Sequence, residues 1–416
     1  MLLSGTRVLL LGCLTSASGE LPEFRITRQD GSTQTFERRG LGLDTGFNTS
    51  LRCDAREGEL RYTPNRAAPD ASTANNLVVI AGNRAKGLTD RLGGPRWASF
   101  EAVYFARMNR SHVLISIEGA DDASHVVGQL HLAPVRCVRP LNAFSESCDH
   151  HLKLSRSEEY TVYESKHGRT LIFLHFRPAR VPWQFIGADE KMLPLPTRVG
   201  AFKSTEQEDI VAYARSTSWY AHFVFIDHAA LLAHFDYFMK VDVDVCFGDH
   251  NFFAHDHTID IADARALFLH RGIRDDHPTV VKGLDECIAT YADLQASFCG
   301  RKVVAATQRT ERGAGWLRQP GKCFFGEYNQ GWLGFFTSPE VLRYGMFWAN
   351  FHDGVFQNRW TDQQFFLHAI ALFGRVSRGS LLDVSKHYER GAWFHRCTGK
   401  CAPLFQPRPN KGSKPC

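Results

Sequence analysis

Two carboxylates two residues apart, Asp242 and Asp244, lie at the end of the apolar run Tyr237-Phe238-Met239-Lys240-Val241-Asp242-Val243-Asp244-Val245. A carboxylate among apolar residues is costly unless it is paired or bound to a cation. Read as one strand, the run alternates, so both aspartates project to the same side. Like charges placed there repel unless a divalent ion lies between them and a substrate. Mg2+ or Mn2+ held by one or two carboxylates plus substrate phosphates is the common arrangement at phosphate-bearing sites. The competing reading is an exposed strand end with two solvated aspartates, since the tripeptide is frequent.

Further candidates lie downstream. Tyr328 and Asn329 open the run Tyr328-Asn329-Gln330-Gly331-Trp332, and Asn358-Arg359-Trp360-Thr361-Asp362 leads into a helix. Asp362 falls near that helix's first turn, where negative charge is favoured. Lys240 and Arg359 are the cations placed to meet a diphosphate, and the basic stretch Arg309, Arg312, Arg318, Lys322 could close over one. His387 and His395 follow near the end. His255 and His257 read as surface histidines. Tyr328, Trp332, Trp348 and Trp360 could stack on a sugar or base, although core packing is the commoner fate of such side chains.

The elements that must hold these residues read as an open α/β sheet with ligands at strand ends. Thr170 to Phe176 is a continuous apolar run, as in a buried parallel strand. Thr205 and Glu208 have the spacing of a capping box, and Ala229 to Phe235 reads as a second helix before the acidic run. Residues 20–155 read as a β-rich region with long loops. Its strand candidates are Leu77 to Gly82, Val113 to Ile117 and Val126 to Leu132. Gly82-Asn83-Arg84-Ala85-Lys86-Gly87 lacks the Gly-Lys-Ser/Thr ending of a phosphate loop. The expected organisation is a signal peptide or short anchor over 1–19, the β-rich region over 20–155, the main domain over 156–401 and a disordered tail over 402–416.

The chain has 416 residues, 44% of them hydrophobic, which is enough for a large core. Its net charge of +5 is scattered rather than gathered into a basic run, which argues against a nucleic-acid partner. The apolar run Val8 to Leu14 is shorter than the roughly 20 residues of a spanning helix, so a cleaved leader is favoured and a membrane contact arises only from an uncleaved anchor. Sequons at Asn48 and Asn109 and an even set of ten cysteines, once Cys13 is removed, fit the secretory pathway and an oxidising compartment.

Taken together, Phe223 to Val245, Asn358 to Asp362, Ala369 to Phe373 and the closing His387, His395 and Cys397 resemble the fungal-type α-1,2-mannosyltransferases. In that family an aromatic strand, a short helix and a strand ending in Glu-Pro-Asp-Val follow one another. The resemblance covers roughly residues 205–250 and 325–398. It implies the GT-A fold, a Rossmann-like mixed sheet flanked by helices, with Mn2+ (or Mg2+) and work in the Golgi lumen. It implies a nucleotide-sugar donor, GDP-mannose or a UDP-sugar, and a glycan or glycoprotein acceptor. Asp242 and Asp244 would hold metal with His387, or else His395. Lys240, Asp242, Tyr328 and Arg359 would bind the donor, and Asp362 and Asn329 would act at the transferred sugar. Asn329 stands where the family carries an acidic residue, so a carboxylate nucleophile is not expected there. Two rival readings are a binding protein that kept the fold without the chemistry and a metal-dependent phosphoesterase. The latter needs a second ligand cluster, for which only the histidines at 250–257 offer residues.

Overall fold

The computed structural model describes residues 23–40, 58–59, 62–82, 84–118, 123–141, 148–166, 169–177, 207–248, 250–278, 280–299, 301–302, 321–374 and 380–395. The leader, the Asn48 sequon, Thr205, the 309–318 basic stretch, the Cys397 and Cys401 pair and the tail lie outside them. No helix among the described residues is long and apolar enough to cross a membrane.

Runs of β-branched and aromatic residues form a ten-stranded mixed sheet flanked by helices. Four parallel strands make its middle, in the spatial order Tyr237–Val241, Asn76–Gly82, Ser111–Glu118, Leu171–Arg177. They read as near-continuous apolar runs because both faces are covered. The chain starts at Asn76–Gly82, builds outward through two neighbours, then returns to the other side at Tyr237–Val241. The strand order therefore reverses between Asn76–Gly82 and Tyr237–Val241, and their carboxyl ends form the crevice where such sheets bind ligands. Beyond Tyr237–Val241 the sheet continues with antiparallel Tyr328–Trp332, then Phe268–His270 and Leu381–Asp383.

Asn76–Gly82 and Ser111–Glu118 are central strands, so a boundary near residue 155 would cut through the sheet. A separate three-stranded sheet does form from Phe24–Thr27, Thr33–Phe36 and Cys137–Pro140, with the Phe24 and Phe36 rings stacked at 4.8 Å. Val126 to Leu132 is not a strand. Ala123–Leu130 is a helix, and Val126 and Leu130, one turn apart, supply its buried face. The aromatic residues before the central strand are also helical: Trp219–Phe223 runs into Val224–Asp227, with Phe225 packed on Phe238 and Phe336. Aromatic runs suit a strand by propensity, but here tertiary packing decides.

The central strand ends at Val241. Asp242, Val243 and Asp244 form a turn, in which the Val245 N–H donates to the Asp242 carbonyl at 3.2 Å. Alternation along one strand therefore does not govern where the two aspartates point. After the turn, Val245–Phe247 leaves the main sheet and pairs with Trp393–His395.

Candidate active site

The core of the site is a buried ammonium. Lys240 is almost fully enclosed, with its Nζ 2.7 Å from Asp242 Oδ1 and 3.1 Å from Asp362 Oδ2. It also donates to the Gly326 carbonyl at 2.6 Å and lies 5.2 Å above the Tyr220 ring. Burial works against its charge, but the two carboxylates outweigh that and raise its pKa. Burial raises the Asp362 carboxyl despite Lys240, with Asp242 adding to the rise.

Local sequence explains this placement. Lys240 shares a strand face with Phe238, whose ring packs on Phe366 of the helix Asp362–Phe373. That helix starts with a capping box in which Thr361 N–H donates to Gln364 Oε1 at 2.6 Å. Gln364 Nε2 in turn donates to Asp276 Oδ2 at 2.6 Å. Asp362, in the first turn, is thereby directed at Lys240. Tyr220 is fixed from the neighbouring strand end, its hydroxyl accepting from the Ala81 N–H at 2.6 Å.

Asn329 is the cross-strand partner of Lys240 and is fully buried, yet neither its Oδ1 nor its Nδ2 has a hydrogen-bond partner. A buried amide left unsatisfied costs roughly 1–3 kcal/mol. Glu327, two residues earlier, was not anticipated. It is buried in an ion pair with Arg271, and its carbonyl accepts from the Asp242 N–H at 3.1 Å. Arg271 itself lies over the Phe325 and Tyr388 rings, at 4.2 and 3.3 Å. Its sequence signal is faint, because only the pairing register brings Glu327 beside Asp242.

The acidic turn and the C-terminal segment meet through the short ladder in which Val245 faces His395, one residue after Asp244. His387 lies at the other end of that ladder. Its ring is 4.7 Å from Phe252 and 5.9 Å from His250, and burial, His250 and Arg390 lower its pKa. Its Nδ1 is buried without a partner. By this register the His395 backbone lies opposite Val245, next to Asp244, whereas the His387 carbonyl accepts from the Ala392 N–H beyond Trp393. Carboxylates such as those of the Asp242-Val243-Asp244 turn are hard oxygen donors, which suit Mn2+ or Mg2+.

Tyr328 is enclosed rather than open to a ligand, its hydroxyl hydrogen-bonded to His257 Nε2 at 2.7 Å and its ring 4.5 Å from Trp393. His257 is likewise buried, and burial pushes its pKa down to about 3. His255 alone matches the surface reading, paired with Asp260 at 2.7 Å. Trp332, Trp348 and Trp360 belong to the core. Arg359 adopts φ +61°, with its guanidinium over the Tyr213 ring at 5.0 Å and its Nη2 donating to the Tyr213 hydroxyl at 3.2 Å.

No protein-family model and no curated protein matches the chain. Solved structures do resemble it. Core-mannan synthase A (CmsA/Ktr4) from Aspergillus fumigatus, in its Mn/GDP form, shares 14% identity, with 86% of this chain and 84% of that one covered at a TM-score of 0.43. The mannosyltransferase Ktr4p from S. cerevisiae shares 12%, covering 79% and 73%, at 0.44. Mouse xyloside xylosyltransferase 1 shares 9%, covering 75% and 84%, at 0.28.

Proposed function

We propose that this chain is a glycosyltransferase that moves mannose or another hexose from a nucleotide-sugar donor to a hydroxyl of a glycan or glycoprotein. The observation that carries the reading is the acidic turn Asp242-Val243-Asp244 at the reversal of strand order, backed by the buried Lys240. Asp242, Asp244 and His395 would hold Mn2+ or Mg2+. The bound ion supplies Lewis acidity toward the departing diphosphate.

The chain's own residues do the rest. Lys240 holds the Asp242 carboxylate through Oδ1 at 2.7 Å and would orient it toward a bound ion. Asp362 is committed to Lys240 and acts as a positioning residue. The Asn329 amide, which offers one acceptor and two donors, suits a sugar hydroxyl. Arg359 stands at the exposed Tyr213 side and suits the acceptor or a diphosphate oxygen. The Golgi lumen is the proposed place of work, and the Cys137–Cys148 disulfide supports an oxidising compartment.

The test is turnover of GDP-mannose and of UDP-sugars with Mn2+, read as release of nucleoside diphosphate. Asp244→Ala is expected to lose turnover while keeping its thermal unfolding. Undiminished turnover in that variant contradicts the metal assignment. Donor binding without turnover in the unaltered chain favours the binding-protein reading.

A further inference from the structure

We propose that Asp149, His150 and His151 form a second metal site, for a borderline divalent ion such as Zn2+, on a surface remote from the acidic turn. The strand His151–Lys153 lies five places along the main sheet from the central strand, roughly 24 Å at about 4.8 Å per strand.

Consecutive residues of a regular strand point to opposite faces. His150 and His151 do not, because the chain bends at His150 before the strand begins, and their rings stack at 4.7 Å. Asp149 Oδ1 lies 3.5 Å from His150 Nδ1 and 3.9 Å from His151 Nε2, and donor atoms of all three lie within 4.8 Å of one another. Zn–N and Zn–O bonds of about 2.0–2.1 Å in a tetrahedron place ligand atoms about 3.3 Å apart. Small side-chain rotations close the difference, and the exposure of the group leaves the fourth position to water.

The backbone under the three ligands is held on every side. Cys148, immediately before, is bonded to Cys137. The Val138 N–H donates to the Asp149 carbonyl at 2.7 Å, and the Val162 N–H donates to the His150 carbonyl at 2.8 Å. Asp149 Oδ1 also accepts from the His151 N–H at 3.2 Å, which orients the carboxylate. The His150 ring rests 5.9 Å from Tyr163. Two imidazoles and one carboxylate select Zn2+, Cu2+ or Ni2+ over Ca2+ or Mg2+.

The experiment is calorimetric titration of the chelator-stripped full chain with Zn2+, alongside His150→Ala/His151→Ala and Asp149→Asn. The unaltered chain is expected to bind one equivalent more than the double variant, and Asp149→Asn to weaken that equivalent about tenfold or more. Equal stoichiometry and affinity in all three overturns the site and leaves a plain His–Asp ion pair. A second readout needs no variant. Zn2+ is expected to protect His150 and His151 from diethyl pyrocarbonate, as mapped by mass spectrometry, and unprotected histidines overturn the site as well. Neither readout depends on sugar transfer.

Discussion

Lys240 and Asn329 face each other across the antiparallel ladder, one with every charge met and the other with both polar atoms unmet. The contrast separates support from contact. Lys240 bridges Asp242 and Asp362 from within, whereas the Asn329 amide is unmatched by the residues around it and is the group proposed to meet a ligand.

Asn329→Leu removes an unsatisfied buried amide while keeping similar volume. Its stability is expected to equal or exceed that of the unaltered chain, because no hydrogen bond is lost and a burial cost of roughly 1–3 kcal/mol is relieved. Turnover is expected to fall at least tenfold. Denaturant unfolding and donor kinetics check this together. A large loss of stability would make Asn329 a structural residue instead.

Lys240→Met strands the buried Asp362 and the half-buried Asp242 without their shared cation. Removing one partner of a buried pair costs about 3–5 kcal/mol. Lys240→Met/Asp362→Leu takes away the stranded charge too and is expected to regain most of that loss. Additive single losses in the double-mutant cycle would show that the 3.1 Å contact carries no coupling.

Much of this arrangement was legible in the sequence. The strands at Leu77, Val113 and Thr170 and the helix after Asp362 follow from apolar runs and from an acidic residue in the first turn, which are local. Asp242 and Asp244 stood out because carboxylates seldom follow such a run. Their turn did not, because the residues that follow it, Val245–Phe247, leave the sheet to pair with Trp393–His395, about 150 residues on. Glu327 and Arg271 were hidden for the same reason. His257 reads in sequence as a surface histidine and is instead buried, because a His that satisfies its polar tip inside the core, here on the Tyr328 hydroxyl, looks in sequence like one at a surface.

A pH dependence of stability follows from Glu158. It is buried, accepts from the Ala230 and Leu231 N–H groups at 2.7 and 3.0 Å and from the Tyr160 hydroxyl at 2.8 Å, and burial still pushes it from 4.5 up to about 7. A folded-state pKa above the unfolded one means that the folded chain holds the proton more tightly. This contribution is therefore full below about pH 4.5 and is lost as pH rises through about 7, a swing of about 3 kcal/mol. Glu158→Gln is expected to flatten unfolding free energy between pH 5 and 8, measured against urea. An unchanged slope in that window contradicts this.

Among the described residues, Cys137, Cys148 and Cys246 are disulfide-bonded, whereas Cys287 and Cys323 are buried thiols, and burial pushes the Cys323 thiol up to about 12. Alkylation of the native chain at pH 8 is expected to spare both thiols until denaturant is added. Cys137→Ser/Cys148→Ser opens a short loop and is expected to cost about 2–3 kcal/mol. Peptide mapping after alkylation and denaturant unfolding check the two statements.

Binding of a nucleoside diphosphate, measured by calorimetry with and without Mn2+, tests the central claim most directly. The account predicts that GDP or UDP binds at least tenfold more tightly with Mn2+, and that Asp242→Asn/Asp244→Ala abolishes that gain while the chain stays folded. Affinity indifferent to Mn2+, or a gain that survives the loss of both carboxylates, would contradict it.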